Sequence, residues 1–221
     1  MTVEAPGTRT LPPWWAVLLV AVAVAALAFA IGRLSTFGAA SVTPANDSPE
    51  AGFARDMQVH HSQAIEMAME IYRKTDDEDI RVLSYDIATA QSGQKGEFYD
   101  WLVTWNLPQA GGPLMAWMSD AGHQHGGGAT AGATEGELLT AMGMASGAEL
   151  AELRTATGTE ADCLFLSLMI RHHEGAIPMA QALVDLGSDA RAVQVAKGII
   201  QTQSAEIDLM TSLQAGLACT G

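Results

Sequence analysis

Positive charge is scarce in this chain. Eleven Lys and Arg stand against 25 Asp and Glu in 221 residues, for a formal net charge of −14. Residues 1–33 carry only Glu4, Arg9 and Arg33, so the remainder holds −15. A surface this acidic repels phosphate backbones, which excludes nucleic acid as a partner. It attracts cations, but weakly and without selectivity. Aromatic residues make up 6% of the chain, and β-branched residues are few beyond the N-terminus. With an Ala- and Met-rich remainder, that composition points to an all-α fold. No Ser/His/Asp or Cys/His arrangement, H-E-x-x-H or phosphate loop is present, so no enzyme is expected. Cysteine occurs twice, at Cys163 and Cys219, and neither lies directly after the N-terminal apolar run. A bacterial lipoprotein anchor is therefore excluded.

That run, Trp14 to Ile31, is 18 apolar residues between Pro12-Pro13 and Gly32-Arg33. A helix of this length just spans a bilayer core, and it exceeds the apolar region of a cleaved signal peptide. Ala28-Phe29-Ala30 and Gly38-Ala39-Ala40 offer small-residue cleavage sites, so cleavage stays open as an alternative to a transmembrane signal anchor over 14–32. Arg9 and Arg33 flank the span symmetrically and do not orient it. A single N-terminal span usually exports the chain on its C-terminal side. Residues 1–13 are thus expected as a cytoplasmic tail, the protein as single-pass in the cell membrane, and residues 34–221 as extracytoplasmic. An Ala/Ser/Thr/Pro-rich linker occupies 33–50.

Beyond the linker the chain repeats itself. Phe53–Trp101 and Phe165–Leu213 align at a constant offset of 112 with identities at twelve of forty-nine positions. Eight fall within sixteen residues: Phe53/Phe165, Met57/Met169, His60/His172, His61/His173, Ala64/Ala176, Ile65/Ile177, Met67/Met179 and Ala68/Ala180. The others are Asp77/Asp189, Ile87/Ile199, Gln91/Gln203 and Ser92/Ser204. Such clustering marks a duplicated supersecondary unit. Each unit reads as a helical hairpin with apolar residues at helical spacing. Asp76–Asp79 caps the second helix of the first hairpin, which runs to about Trp105; Ser188-Asp189 caps the second helix of the other. In the second unit the first helix is expected over Leu164–Leu186, ending at Gly187. Two hairpins with one apolar stripe each bury those stripes against one another, predicting a four-helix bundle over 51–217. Its parts are hairpin one (51–105), a crossover (106–162) and hairpin two (163–217). The crossover is expected to hold short helices near Glu135–Met142 and Ala148–Thr155. A hairpin returns Cys219 beside Cys163, and an exported pair of cysteines reads as a disulfide.

The repeated motif is F-x3-M-x2-H-H-x2-A-I-x-M-A. Positions i, i+3, i+7 and i+10 share a helix face, which aligns Met57, His60, Ala64 and Met67, and likewise Met169, His172, Ala176 and Met179. His60 and His61 lie about 100° apart on a helix, so one of each pair reaches the bundle axis and the other its edge. Four imidazoles and four thioethers are thereby directed toward a common region. Thioethers are soft ligands that select Cu(I) or Ag(I), whereas imidazole also takes other transition metals. Copper, as Cu(I), is the expected cofactor. The Glu-x-x-His pattern of di-iron bundles is absent: Met69 follows Glu66 by three, and Ile177 follows Glu174. The competing reading is a helical scaffold or interaction module, with methionines filling the core and histidines serving as buried polar contacts. Pro178 removes one helical hydrogen bond a turn past His173 and should kink that helix. Met115, Met118, His123, His125, Met142 and Met144 in the crossover make either an auxiliary metal-scavenging segment or a linker with incidental residues.

These features resemble family 305 of bacterial domains of unknown function, over roughly residues 50–215. Resemblance is strongest at Met57–Ala68 and Phe165–Ala180, and Met142–Leu153 is similar to an actinobacterial form of the crossover. It implies a ferritin-like bundle, exported or membrane-anchored, with copper binding and copper tolerance in some members. It also implies Met57, His60, His61, Met67, Met169, His172, His173 and Met179 as the metal ligands. The His-Gln-His-Gly stretch at 123–126 departs from the dense Met run of Met-rich relatives.

Overall fold

The structure is a computed structural model that describes residues 13–37, 43–121 and 132–219. Among these residues there are seven α-helices and no strand. The expected tail 1–13, except Pro13, lies outside them, as do part of the linker and His123 and His125.

Helix α1 spans Trp14–Phe37. Its stretch Trp14–Ile31 has a mean hydropathy of 2.6 and is long and apolar enough to cross a membrane. It is apolar on all sides, with Trp14 78% and Phe29 70% exposed; such a helix requires apolar surroundings.

From Thr43 onward the chain forms a separate unit. Helix α2 (Pro49–Tyr72) starts where Ser48 accepts a hydrogen bond from the Ala51 amide, with Pro49 at the first turn; Pro loses nothing there because that amide has no helical partner. Helix α3 (Glu78–Thr104) is capped by Asp77, and α7 (Ala190–Gly216) by Asp189. The duplication thus copies the cap along with the helix. Helix α6 (Gly158–Leu186) passes Pro178 without a break and begins six residues before the expected Leu164. The added turn has no apolar stripe to announce it, yet it buries Ala161 and Asp162. In the crossover, α4 (Glu135–Ala141) and α5 (Gly147–Thr155) each open on a capping box, Thr134/Glu137 and Ser146/Glu149. Both lie within a residue of their expected bounds.

Helices α2 and α3 pack as one hairpin and α6 and α7 as the other, and α2 meets α6 at the centre. The core falls into two apolar layers. One holds Ile71, Ile80, Ile87, Phe165 and Met169; the other holds Phe53, Met57, Phe98, Met179 and Leu183. The N-terminal part of α2 therefore shares a layer with the C-terminal part of α6, so the two run antiparallel. Burying each of these side chains contributes about 1.5–3 kcal/mol. Cys163 and Cys219 form the expected disulfide, with Cα atoms 5.6 Å apart across 56 residues. For a loop of that size, chain-entropy bookkeeping gives about 4 kcal/mol.

The crossover is held to the bundle by polar contacts that are buried or partly buried. Gln63 Nε2 donates to the Ala145 carbonyl at 2.9 Å, and the Ala145 amide donates to Gln63 Oε1 at 2.6 Å. Asp56 Oδ2 accepts from the Met115 amide and from Trp117 Nε1, both at 2.8 Å. Gly143 sits in the left-handed region at φ +73°, against the Arg171 carbonyl. Gly175 leaves room for the Met142 carbonyl, where a side-chain carbon would collide with it. Gly175→Ala is therefore expected to destabilise the bundle by about 1–3 kcal/mol, the cost of overpacking. Gly198→Ala, where the new methyl meets nothing within 4 Å, should be neutral or stabilise by up to about 1 kcal/mol. Urea unfolding of both variants decides the point: equal midpoints would dismiss the clasp.

Candidate metal centre

Between the two apolar layers lies a level of polar rings. His60 and His61 sit midway along α2, His172 and His173 midway along α6, and all four are fully buried. The antiparallel crossing sets His60 against His172, with ring centroids 3.6 Å apart and planes inclined by 32°. His61 flanks His60 at 6.2 Å and 53°, and His173 flanks His172 at the same distance and angle. The rings thus run in the order His61, His60, His172, His173. One of each pair takes the axis and the other the edge, as the 100° offset requires.

Each ring donates through Nε2. His60 Nε2 meets the Met142 carbonyl at 3.0 Å, and His172 Nε2 meets the His60 carbonyl at 3.1 Å. His61 Nε2 meets Gln94 Oε1 at 2.8 Å, and His173 Nε2 meets Glu206 Oε2 at 2.6 Å. These oxygens only accept, so each Nε2 carries a proton. Burial holds three of the rings neutral: it pushes His60 down to about 3, His61 down to about 4 and His172 well below its usual range. A neutral ring protonated at Nε2 presents a bare lone pair at Nδ1. All four Nδ1 atoms are buried and have no hydrogen-bond partner. An unsatisfied buried acceptor costs about 1–3 kcal/mol. Together the four are ring nitrogens of the kind that ligate a metal, three of them on rings held neutral.

The methionines are placed differently from the expectation. All of Met57, Met67, Met169 and Met179 are buried, but they do not converge. Met57 and Met179 lie in one apolar layer, Met67 and Met169 in the other. Ten residues of helix separate the two methionines of each motif by about 15 Å, so the antiparallel crossing leaves one pair on each side of the rings. Among the described residues no three His, Cys, Asp or Glu form a group that could enclose an ion. The site is a row of rings with sulfur above and below it.

Several residues here were not singled out from the motif. Met142 and Met210 are fully buried, one in each layer. Gln94 and Glu206 orient the outer rings; they stand at the repeat offset from one another, three residues past the matched Gln91 and Gln203, which was the available signal. Of the crossover methionines, Met115, Met118 and Met144 pack into the layer that holds Met57.

A helical bundle, internally duplicated around a buried row of paired imidazoles, is the class these features define. Over residues 50–214 the chain matches the family described as "Domain of unknown function (DUF305)" and belongs to it. Solved structures share the fold. A DUF305 protein from Streptomyces coelicolor is 38% identical, with a TM-score of 0.68, covering 79% of this chain and 95% of that one. A DUF305 fragment from Deinococcus radiodurans is 30% identical, with a TM-score of 0.61 and coverage of 76% and 95%. CopM in its Cu(II)-bound form is 25% identical, with a TM-score of 0.56 and coverage of 76% and 97%. CopM has also been solved in Cu(I)-bound, Ag-bound and apo forms. No curated protein matches the chain.

The depressed ring pKa values set a pH dependence. Below 6.5, the ordinary imidazole value, the unfolded chain binds protons that the folded rings refuse, so stability falls with pH. Asp56, pushed by burial up to about 6, and Asp162, also raised by burial, act in the opposite direction lower in the range. Three histidines outweigh them, and the urea midpoint of the metal-free protein should drop steadily from pH 7 to pH 5. A flat or rising midpoint would count against neutral buried rings.

Proposed function

We propose that this protein is a membrane-anchored, extracytoplasmic metal-binding protein that sequesters a soft cation, with Cu(I) as its cargo. The observation that carries this reading is the set of four buried Nδ1 atoms without partners, three of them on rings that burial keeps neutral. Imidazole nitrogen flanked by thioether sulfur suits Cu(I) and Ag(I) over hard ions. Family membership supports the reading, since CopM with this fold has been solved with copper and with silver. The acidic surface supports cation capture, and the apolar helix α1 supports anchoring. The Cys163–Cys219 disulfide belongs to an oxidising compartment outside the cytoplasm. A bacterial DUF305 relative described as a candidate secreted protein agrees with export.

In this reading His60, His61, His172 and His173 bind the ion, and Met142, Gln94 and Glu206 orient the rings. Met57, Met179, Met67 and Met169 supply soft donors from the two layers. The role in this reading is binding.

A second reading keeps the rings as structural polar contacts of a scaffold. It is favoured by the internal partner that every Nε2 already has. Titration of the full chain in detergent with Cu(I) against a competing chelator separates the two. Metal binding predicts stoichiometric uptake that replacing His60, His61, His172 and His173 together by Ala abolishes. The scaffold predicts no uptake by the unaltered protein and only a loss of stability in that variant. The anchor has its own check. In a bacterial expression host the chain should stay in the membrane pellet after an alkaline carbonate wash, and its release would mean cleavage or peripheral attachment.

A further inference from the structure

The duplication contains its own control. Residues 112 apart occupy equivalent places, so a difference in what faces the rings is a difference of chemistry on one shared backbone. His61 leans on Gln94 and His173 leans on Glu206. These two partners are equivalent in the repeat; one is a neutral amide and the other a carboxylate. The next position changes in the same sense, Lys95 in the first hairpin corresponding to Ile207 in the second. The Lys95 charge opposes a further positive charge at His61. Half of the row therefore faces a neutral acceptor and a nearby cation, and the other half faces an anion with no cation at the matching position.

We infer that the two halves are unequal binding sites, and that Glu206 makes His173 the ring at which a soft monovalent cation is taken up first. The inference rests on the metal-binding reading above and adds where binding begins. A charge entering a buried layer needs a counter-charge nearby, because an uncompensated ion in the interior is strongly disfavoured. Glu206 supplies it through the far nitrogen of the ring, an arrangement that fixes the ring's orientation and strengthens the other nitrogen as a donor. Gln94 orients His61 equally well and brings no charge. Glu206 also links the row to the outside: its side chain is 17% exposed where that of His173 is wholly buried. It lines a shallow surface hollow with Gln201, Thr202, Ala205 and Leu209. Glu206 is thus a positioning residue that faces solvent on one side and His173 on the other.

The test uses the full chain in detergent micelles and Ag(I), a monovalent probe that avoids copper redox chemistry. Uptake is followed by competition with a chelator and by the NMR resonances of the imidazole rings. In the unaltered protein the His173 ring should shift with the first equivalent, ahead of His61. Glu206→Gln keeps the hydrogen bond and removes the charge; it should weaken the first equivalent by about 10–100-fold and erase that order. Gln94→Glu should tighten uptake at the His61 half, a gain that a purely structural role would not produce. Thermal unfolding of the metal-free variants establishes that both fold. Undiminished affinity in Glu206→Gln, or a His61 ring that responds first in the unaltered protein, overturns the inference while metal binding stands. Absence of any ring shift with Ag(I) in the unaltered protein overturns both.

Discussion

Holding four imidazoles at one level of a helical core constrains nearly everything around them. Apolar layers on both sides exclude water, and in that low dielectric each unpaired polar atom is expensive while each hydrogen bond is strong. Each ring therefore draws its Nε2 acceptor from a different part of the chain: the crossover carbonyl of Met142, the α2 carbonyl of His60, Gln94 on α3 and Glu206 on α7. The row ties both hairpins and the crossover into one cooperative unit. These bonds occupy Nε2 on every ring and leave every Nδ1 without a partner.

The crossover, on this view, belongs to the core. Its Met142 side chain enters an apolar layer while its carbonyl receives the His60 proton. Gln63 and Gly175 occupy the same position in the two copies of the motif, 112 residues apart. Both serve the crossover, one by gripping Ala145 and the other by giving way to Met142. A duplicated unit has two equivalent faces but only one crossover to cover them, so these positions had to diverge. Ion pairs at the rim, such as the bidentate Arg171–Glu149 contact at 2.8 and 2.9 Å, add little by themselves. They fix α5 beside α6.

Most of the architecture was legible in the residues. Matched caps at Asp77 and Asp189 and the apolar spacing of each hairpin are local signals, and local physics honoured them. The disulfide was legible because a hairpin of known length has few places for its end to go. The early start of α6 was not legible: Gly158–Asp162 carries no periodic apolar face, and its turn forms because Ala161 finds a buried site. The expectation of four converging thioethers failed for a global reason. Helix spacing put Met57 and Met67 on one face, but only the antiparallel partner helix decided which sulfur shares a level with which.

What the sequence by itself determined is the kind of chemistry available: two His-His pairs, methionines at helical spacing, and an acidic chain with a single apolar run. These features come from residue identity and the fixed period of a helix. What tertiary structure decided is which atoms are left without partners. The stacking of His60 on His172, the neutrality of His60, His61 and His172 and the pairing of His173 with a carboxylate where His61 has an amide depend on contacts between segments up to 112 residues apart. No local pattern encodes those contacts, because burial and partner geometry exist only once the two hairpins have closed on each other.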